Sequence, residues 1–220
     1  LGIDLSGRHC VVVGGGTVAE RRIETLLRSG AKVSVMSPAL TTTLTESLDQ
    51  FHYIDTAYSE DRFTIEFLQK GRGEVSSNRP YLVLAATNST TVNERVHAQV
   101  KDVVPLINIA SNQKLSSFHF PAVVERGPLH IGVTTSGLSP LLGKRICEQL
   151  STIYGEEYAL FLQRLGQLRE EAYKEAGNPK EVRQLLKAVV ENDDILEYYR
   201  KNDLSKAETL IKDALRIVHK

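Results

Sequence analysis

Through the first half of the chain, short β-branched and apolar runs alternate with stretches whose apolar positions recur at helical spacing. Runs at residues 9–13, 32–36, 51–54, 81–85 and 105–109 predict five strands. Between them, residues 18–29 (ended by Gly30), 43–49, 62–70 (ended by Gly71) and 92–102 predict helices. Strand and helix in alternation imply a parallel sheet with crossover helices, a doubly wound α/β domain. The runs VLAAT (83–87) and PLINIA (105–110) lack polar alternation, as strands covered on both faces do. Residues 71–80, GRGEVSSNRP, read as a loop longer than most connections in such a fold.

After about residue 112 the pattern changes. Residues 117–124 (SFHFPAVV) and 129–135 (LHIGVTT) predict two strands joined around Glu125-Arg126-Gly127-Pro128. Ser139 suits a helix N-cap and Pro140 the first helical position, where a missing N–H costs nothing, so a helix should run from Pro140 to about Tyr154. Beyond Gly155 the chain reads as wholly helical. Asn178-Pro179 opens one helix by the same cap logic, and Ser205-x-x-Glu208 has the form of a capping box for the last. Tyr154, Tyr158, Phe161 and Leu165 fall at helical spacing and suit a core or an interface between copies. Three parts are expected: a Rossmann-type domain (1–112), a small β-hairpin and helix region (113–152) and an all-helical C-terminal domain (153–220).

Charge narrows the function classes. Lys plus Arg (27) equal Asp plus Glu (27), so nothing in the balance calls for nucleic acid or a membrane surface as partner. No apolar run has the length of a transmembrane helix, and no basic-then-apolar leader opens the sequence, which makes a cytoplasmic protein the expectation. The two cysteines, Cys10 and Cys147, lie far apart, and no histidines pair at metal-ligand spacing. Neither a disulfide framework nor a metal site is expected.

The chemistry begins at VVVGGGTVAERR (11–22). A strand, then Gly14-x-Gly16-x-x-Ala19, then a helix is the dinucleotide-binding arrangement. Gly14 permits the tight turn, Gly16 lets the backbone approach the pyrophosphate, and Ala19 is small enough for close packing of helix on strand. Unpaired N–H groups at the helix start face the phosphates. The second strand should end in an acid for the ribose hydroxyls, yet it runs Met36-Ser37-Pro38-Ala39. Ser37 can bond either a ribose hydroxyl or a 2′-phosphate, so these residues do not choose between NAD and NADP. Arg21 and Arg22 lie deep in the first helix and read as solvated positions. The Tyr-x-x-x-Lys pair of short-chain dehydrogenases is absent: Tyr58, Tyr154 and Tyr158 are followed four residues on by Arg62, Tyr158 and Leu162.

Several blocks together resemble one family, the precorrin-2 dehydrogenase/sirohydrochlorin ferrochelatase family, which includes the N-terminal module of siroheme synthases. They are VVVGGGTVAERR (11–22), GAKVSVMSP (30–38), LAATNSTTVNERV (84–96), NIAS (108–111) and SSFHFPAVVERGPLHIGVTTSGLSP (116–140). The resemblance implies an intertwined homodimer, NAD as cofactor and precorrin-2 as hydride donor, giving sirohydrochlorin and NADH. Carried onto this chain, the NAD contacts fall on Gly14, Gly16, Thr17, Val18, Ser37, Pro38, Ala39, Ala86, Thr87 and Asn108. The tetrapyrrole carries many carboxylates, and the segments that border it in the family supply Asn112, Lys114, Arg126, Thr135 and Ser136 as substrate-binding candidates. Lys144 and Arg145 lie in the same stretch.

One position departs from the family. Where its members read Asn-Val-Val-Asp, with the aspartate held essential for dehydrogenation, this chain reads Asn108-Ile109-Ala110-Ser111. Dehydrogenation removes a proton as well as a hydride, and an unassisted serine is a poor base at neutral pH. Ser111 and His119 are the catalytic candidates, with His130 behind them; alternatively the step needs little base, because the product gains conjugation. Dehydrogenase activity is the leading expectation. The alternatives are a bifunctional enzyme that also inserts Fe2+ or Co2+, or a non-catalytic tetrapyrrole or nucleotide carrier.

Overall fold

A computed structural model describes residues 2–64, 79–176 and 178–218. Contacts divide the chain into two compact units, Leu1–Phe120 and Pro121–Lys220. The sequence pattern changes near residue 112, but residues 113–120 pack with the first unit.

The first unit is built on five parallel strands: β1 (His9–Val13), β2 (Lys32–Ser37), β3 (His52–Asp55), β4 (Leu82–Ala85) and β5 (Leu106–Ile109). Their order is β3-β2-β1-β4-β5, the order of a doubly wound sheet in which the chain reverses direction between β1 and β4. The helices α1 (Thr17–Arg28), α2 (Thr42–Glu46) and α3 (Thr90–Val100) connect them. The residues predicted as a helix at 62–70 and as a loop at 71–80 lie mostly outside the described ones.

Alternation along β1 sends its side chains to two cores. Cys10 and Val12 join Ala19, Ile23 and Leu26 of α1 on one face, while Val11 and Val13 join Val96 and Val100 of α3 on the other. All five residues of β1 are buried, which explains its unbroken apolar run. Burial in the first of these cores pushes the Cys10 thiol up to about 12, so it stays protonated and inert. Arg22 is not the solvated position the sequence suggested: its guanidinium lies 4.2 Å from the centre of the Phe120 ring.

Residues 117–121 do not form the strand expected of them. Residues 116–118 run beside β5, the sheet edge, where Ser117 Oγ accepts from Ile107 N (2.8 Å) and Ser116 Oγ accepts from Ile109 N (2.9 Å). Ser117 N donates to Ile107 O at 2.8 Å. Side-chain hydroxyls thus cover edge N–H groups that a sixth strand would otherwise take.

The second unit opens with an antiparallel hairpin, β6 (Ala122–Arg126) and β7 (Leu129–Val133), turning on Gly127 at φ +54°. α4 (Pro140–Ile153) follows, capped by Ser139 as expected. Then come α5 (Glu157–Ala176), α6 (Pro179–Val190), α7 (Asp193–Arg200) and α8 (Leu204–Val218). Phe161, Leu168, Val189, Ile195, Tyr199, Ala207 and Ile211 form their core. The last helix starts one residue ahead of the expected capping box, so Ser205 and Glu208 both fall inside it. Asp203 is the cap, accepting from Lys206 N at 3.2 Å, and Glu208 pairs with Arg164 instead. The architecture is an α/β Rossmann-type sheet followed by a hairpin-plus-helix region and an all-helical C-terminal part.

Candidate functional site

The three glycines of the β1–α1 turn play three different parts. Gly14 sits at φ +121°, and a Cβ there would stand 2.5 Å from Ala86 O. A Cβ on Gly15 would overlap the Ala39 carbonyl oxygen and lie 2.9 Å from Ser37 Oγ, whereas Gly16 has open space around it. Backbone bonds fix the turn between its neighbours: Gly14 N donates to Met36 O (2.9 Å), Thr41 N to Gly15 O (3.0 Å) and Ala86 N to Val13 O (2.8 Å). The motif reading treated residue 15 as the free position of Gly-x-Gly. Here it is the one pressed between β1 and the loop after β2.

Gly16 is the N-cap of α1 and supplies no side-chain capping bond. By contrast α2, α3, α4, α6 and α7 open on capping side chains from Thr41, Ser89, Ser139, Asn178 and Asn192. The first-turn N–H groups of α1 are therefore left for a ligand, next to a position where a Cβ would meet nothing.

A cleft of about 480 Å³ opens at this turn, on the carboxyl edge of the sheet. Its walls include Gly14 and Gly16 on one side, Ser37, Pro38 and Ala39 on a second, and Ala86 and Thr87 on a third. These are seven of the ten positions expected to contact a dinucleotide. Thr17 and Val18 stand exposed on the first turn of α1, outside the cleft walls. Asn108, 9 % exposed within β5, spends its amide on Phe118 O (2.9 Å). The Ser37 hydroxyl donates to Ala39 O at 2.6 Å, so toward a ribose it is an acceptor. The nearest strand-end acid is Asp55, opposite Ser37 in the β2–β3 register, which the motif spacing could not reveal. No Lys or Arg is found among the described residues lining the cleft.

Beyond the ends of β4 and β5, one buried side chain organises the edge. Asn93, fully buried on α3, accepts from Thr87 N (3.0 Å) and Thr87 Oγ1 (2.7 Å), and donates to Thr87 O (3.1 Å) and Ser111 Oγ (3.1 Å). Asn93 lies inside the block LAATNSTTVNERV, and the signal for its role is a polar residue on the inner stripe between Val92 and Val96. Ser111 is exposed and follows β5 directly. His119 is exposed between Phe118 and Phe120, which both pack on the α1 side.

The substrate-binding candidates divide between the units. In the first, Asn112 Oδ1 accepts from Lys114 N (3.1 Å), capping a short 3-10 turn that leaves Lys114 exposed. In the second, Arg126 is engaged within its own unit. Its guanidinium donates to Glu125 O (2.8 Å) and Ser151 O (3.3 Å), near the end of α4, and faces Glu156 at 3.3 Å. Thr135 Oγ1 accepts from Ser139 N (3.2 Å), and Ser136 at φ +51° with Gly137 at φ +76° forms the tight turn before α4. His130, exposed on β7, has Nδ1 at 3.8 Å from Glu125 Oε1, and Lys144 lies 3.8 Å from Glu148.

Comparison with known proteins matches this architecture. A family model described as "Putative NAD(P)-binding" matches residues 1–122. The chain is 35 % identical over 167 residues to a precorrin-2 dehydrogenase of Priestia megaterium, covering 76 % of each. It is 32 % identical over 190 residues to a siroheme synthase of Nitrosospira multiformis, covering 86 % of this chain but 38 % of that longer protein. Among solved structures, SirC, a precorrin-2 dehydrogenase, superposes with a TM-score of 0.74 at 28 % identity, over 97 % of this chain and 98 % of that one. The chain belongs to the NAD(P)-binding family that contains the precorrin-2 dehydrogenases and the corresponding part of the siroheme synthases.

Proposed function

We propose that this chain catalyses NAD-dependent dehydrogenation of precorrin-2 to sirohydrochlorin. The observation that carries the reading is the cleft at the carboxyl edge, where α1 opens on an uncapped glycine with free space beside it. That arrangement fits a pyrophosphate, and family membership supplies the substrate. With no cation among the described cleft residues, a 2′-phosphate would meet no charged partner there, which favours NAD over NADP. Bound NAD supplies the hydride acceptor.

The chain's own part is to orient the two substrates. Gly14, Gly16, Ala86 and Thr87 cradle the dinucleotide, and Ser37, Pro38 and Ala39 border its ribose. Thr17 and Val18 shape the helix start, and Asn108 holds the β5 end. Asn112, Lys114, Arg126, Thr135 and Ser136 are the proposed tetrapyrrole-side positions. His119, exposed between Phe118 and Phe120, is the proposed acceptor for the departing proton, since an imidazole nitrogen carries a lone pair that can take one.

The active form is proposed to be a homodimer. Leu138 (90 % exposed), Leu141 (82 %) and Leu142 stand out of the turn and first helical turn after the hairpin, an apolar cluster that a second copy would cover.

The test is anaerobic incubation of the protein with precorrin-2 and NAD, followed through NADH absorbance and the sirohydrochlorin spectrum. Stoichiometric NADH is expected; none at enzyme concentrations equal to substrate overturns the reading. Size-exclusion with light scattering on Leu141→Glu tests the dimer, which should fall to monomer.

A further inference from the structure

The buried amide of Asn93 has its orientation fixed by the backbone. Thr87 N can only donate, and lies 3.0 Å from Oδ1; Thr87 O can only accept, and lies 3.1 Å from Nδ2. The opposite flip would set donor against donor and acceptor against acceptor around a side chain with no exposed surface of its own. Nδ2 is therefore the group that faces Ser111 Oγ, at 3.1 Å. Because Nδ2 donates, Ser111 Oγ accepts, and its own proton points elsewhere. Among the described residues, no acceptor takes that proton. Ser111 is also exposed, and it lies outside the walls of the dinucleotide cleft, just beyond the end of β5.

We propose that Ser111 is a hydrogen-bond donor to a side-chain carboxylate of the tetrapyrrole, set in that role by Asn93 as a positioning residue. The inference rests on the dehydrogenase reading for the identity of the ligand. It also removes Ser111 from consideration as the proton acceptor of the reaction. A hydroxyl that already accepts from an amide and meets an anion has no reason to ionise at neutral pH. A carboxylate acceptor suits the exposed position, because a charge-assisted bond holds its strength where a neutral one competes poorly with water.

The experiment titrates the full chain and its variants with sirohydrochlorin and, separately, with NAD, then measures turnover. Ser111→Ala should weaken sirohydrochlorin about tenfold, the worth of one charge-assisted bond, and leave NAD within about twofold. Ser111→Thr should keep most of the affinity. Ser111→Asp should lose more than Ser111→Ala, since it sets anion against anion. Asn93→Asp gives Ser111 an inward acceptor; where it folds, it should reproduce the Ser111→Ala defect, and combining the two should add nothing.

Unchanged sirohydrochlorin binding in Ser111→Ala overturns the inference, as does an effect confined to NAD. A turnover gain in Ser111→Asp would show that the position wants a base, and overturns it equally. If Asn93→Asp does not fold, the exposed Ser111 series decides alone. Wild-type protein that binds sirohydrochlorin through Ser111 yet forms no NADH supports the inference while overturning the dehydrogenase reading.

Discussion

The carboxyl edge of the sheet is built in two ways. At the ends of β1 and β2 the geometry comes from missing side chains: Gly14 and Gly15 bring backbone against the Ala86 and Ala39 carbonyls, and main-chain bonds hold the pieces. At the ends of β4 and β5 it comes from side chains: Asn93 joins Thr87 to Ser111, while Ser116 and Ser117 close the open edge. At Gly14 and Gly15 the first half has no room to vary. The second keeps its shape as long as donors and acceptors match, so the group it presents outward can change from one acid or hydroxyl to another. In this chain the group presented outward is the Ser111 hydroxyl.

The sharpest way to break this contrast is to add one methyl group. Gly14→Ala combines a strained positive φ with a clash against backbone, and Gly15→Ala pushes the loop after β2 away. Each should cost about 3–5 kcal/mol in urea unfolding, with NAD binding lost. If either variant matched wild type, the first half would be no more rigid than the second.

The next effect probes the other half. Asn93→Leu keeps the branched shape but takes away the side-chain partners of Thr87 N and Thr87 O, on a half-buried residue. It should cost about 2–3 kcal/mol, measured the same way. Asn93→Asp keeps an acceptor for Thr87 N but sets a buried carboxylate oxygen against Thr87 O, and should cost more. Wild-type stability in Asn93→Leu would mean that packing, not polar matching, shapes this half.

These two halves were not equally legible in the sequence. Glycines in a strand-to-helix turn announce themselves, because few other roles call for three in a row. β1 and β4 were visible for a related reason: burial on both faces leaves a nearly continuous apolar run. The Asn93 network was not visible, because hydrogen-bond partners 6 and 18 residues apart follow from the fold and not from any spacing. Gly15 was passed over because a motif records which positions face the ligand, while its constraint comes from the loop behind it. Residues 117–121 carried the composition of a strand, yet Ser116 and Ser117 bond the edge through their hydroxyls and need no ladder. The capping box at Ser205 failed because Asp203, two residues earlier, was already in position to cap.

A smaller effect separates folding from binding within the first half. Gly16→Ala meets no atom within 4 Å, so stability should change by no more than about 1 kcal/mol, the usual cost of alanine at an N-cap. The added methyl would stand where the phosphates approach, so NAD affinity should fall several-fold by fluorescence titration. A stability loss as large as that of Gly14→Ala would erase the distinction between the glycines.

The smallest predicted effect lies at the opposite end of β1 and serves as the control. His9 is 5 % exposed, with Nε2 2.9 Å from Ser34 Oγ; burial, then the neighbouring His52 and Lys32, hold its pKa below the ordinary histidine value. Protons therefore bind the unfolded chain, near pH 6.5, before they bind the folded one. The stability contribution is complete above that pH and is lost as pH falls through and below it. Urea midpoints measured from pH 8 to 5 should decline in wild type and decline less in His9→Gln. The glycine variants of the cleft should keep the wild-type slope, since no titrating group has been altered. If Gly16→Ala flattened the slope and His9→Gln did not, the acid sensitivity would belong to the carboxyl edge, and the division between a backbone-built half and a side-chain-built half would need a titrating group that neither contains.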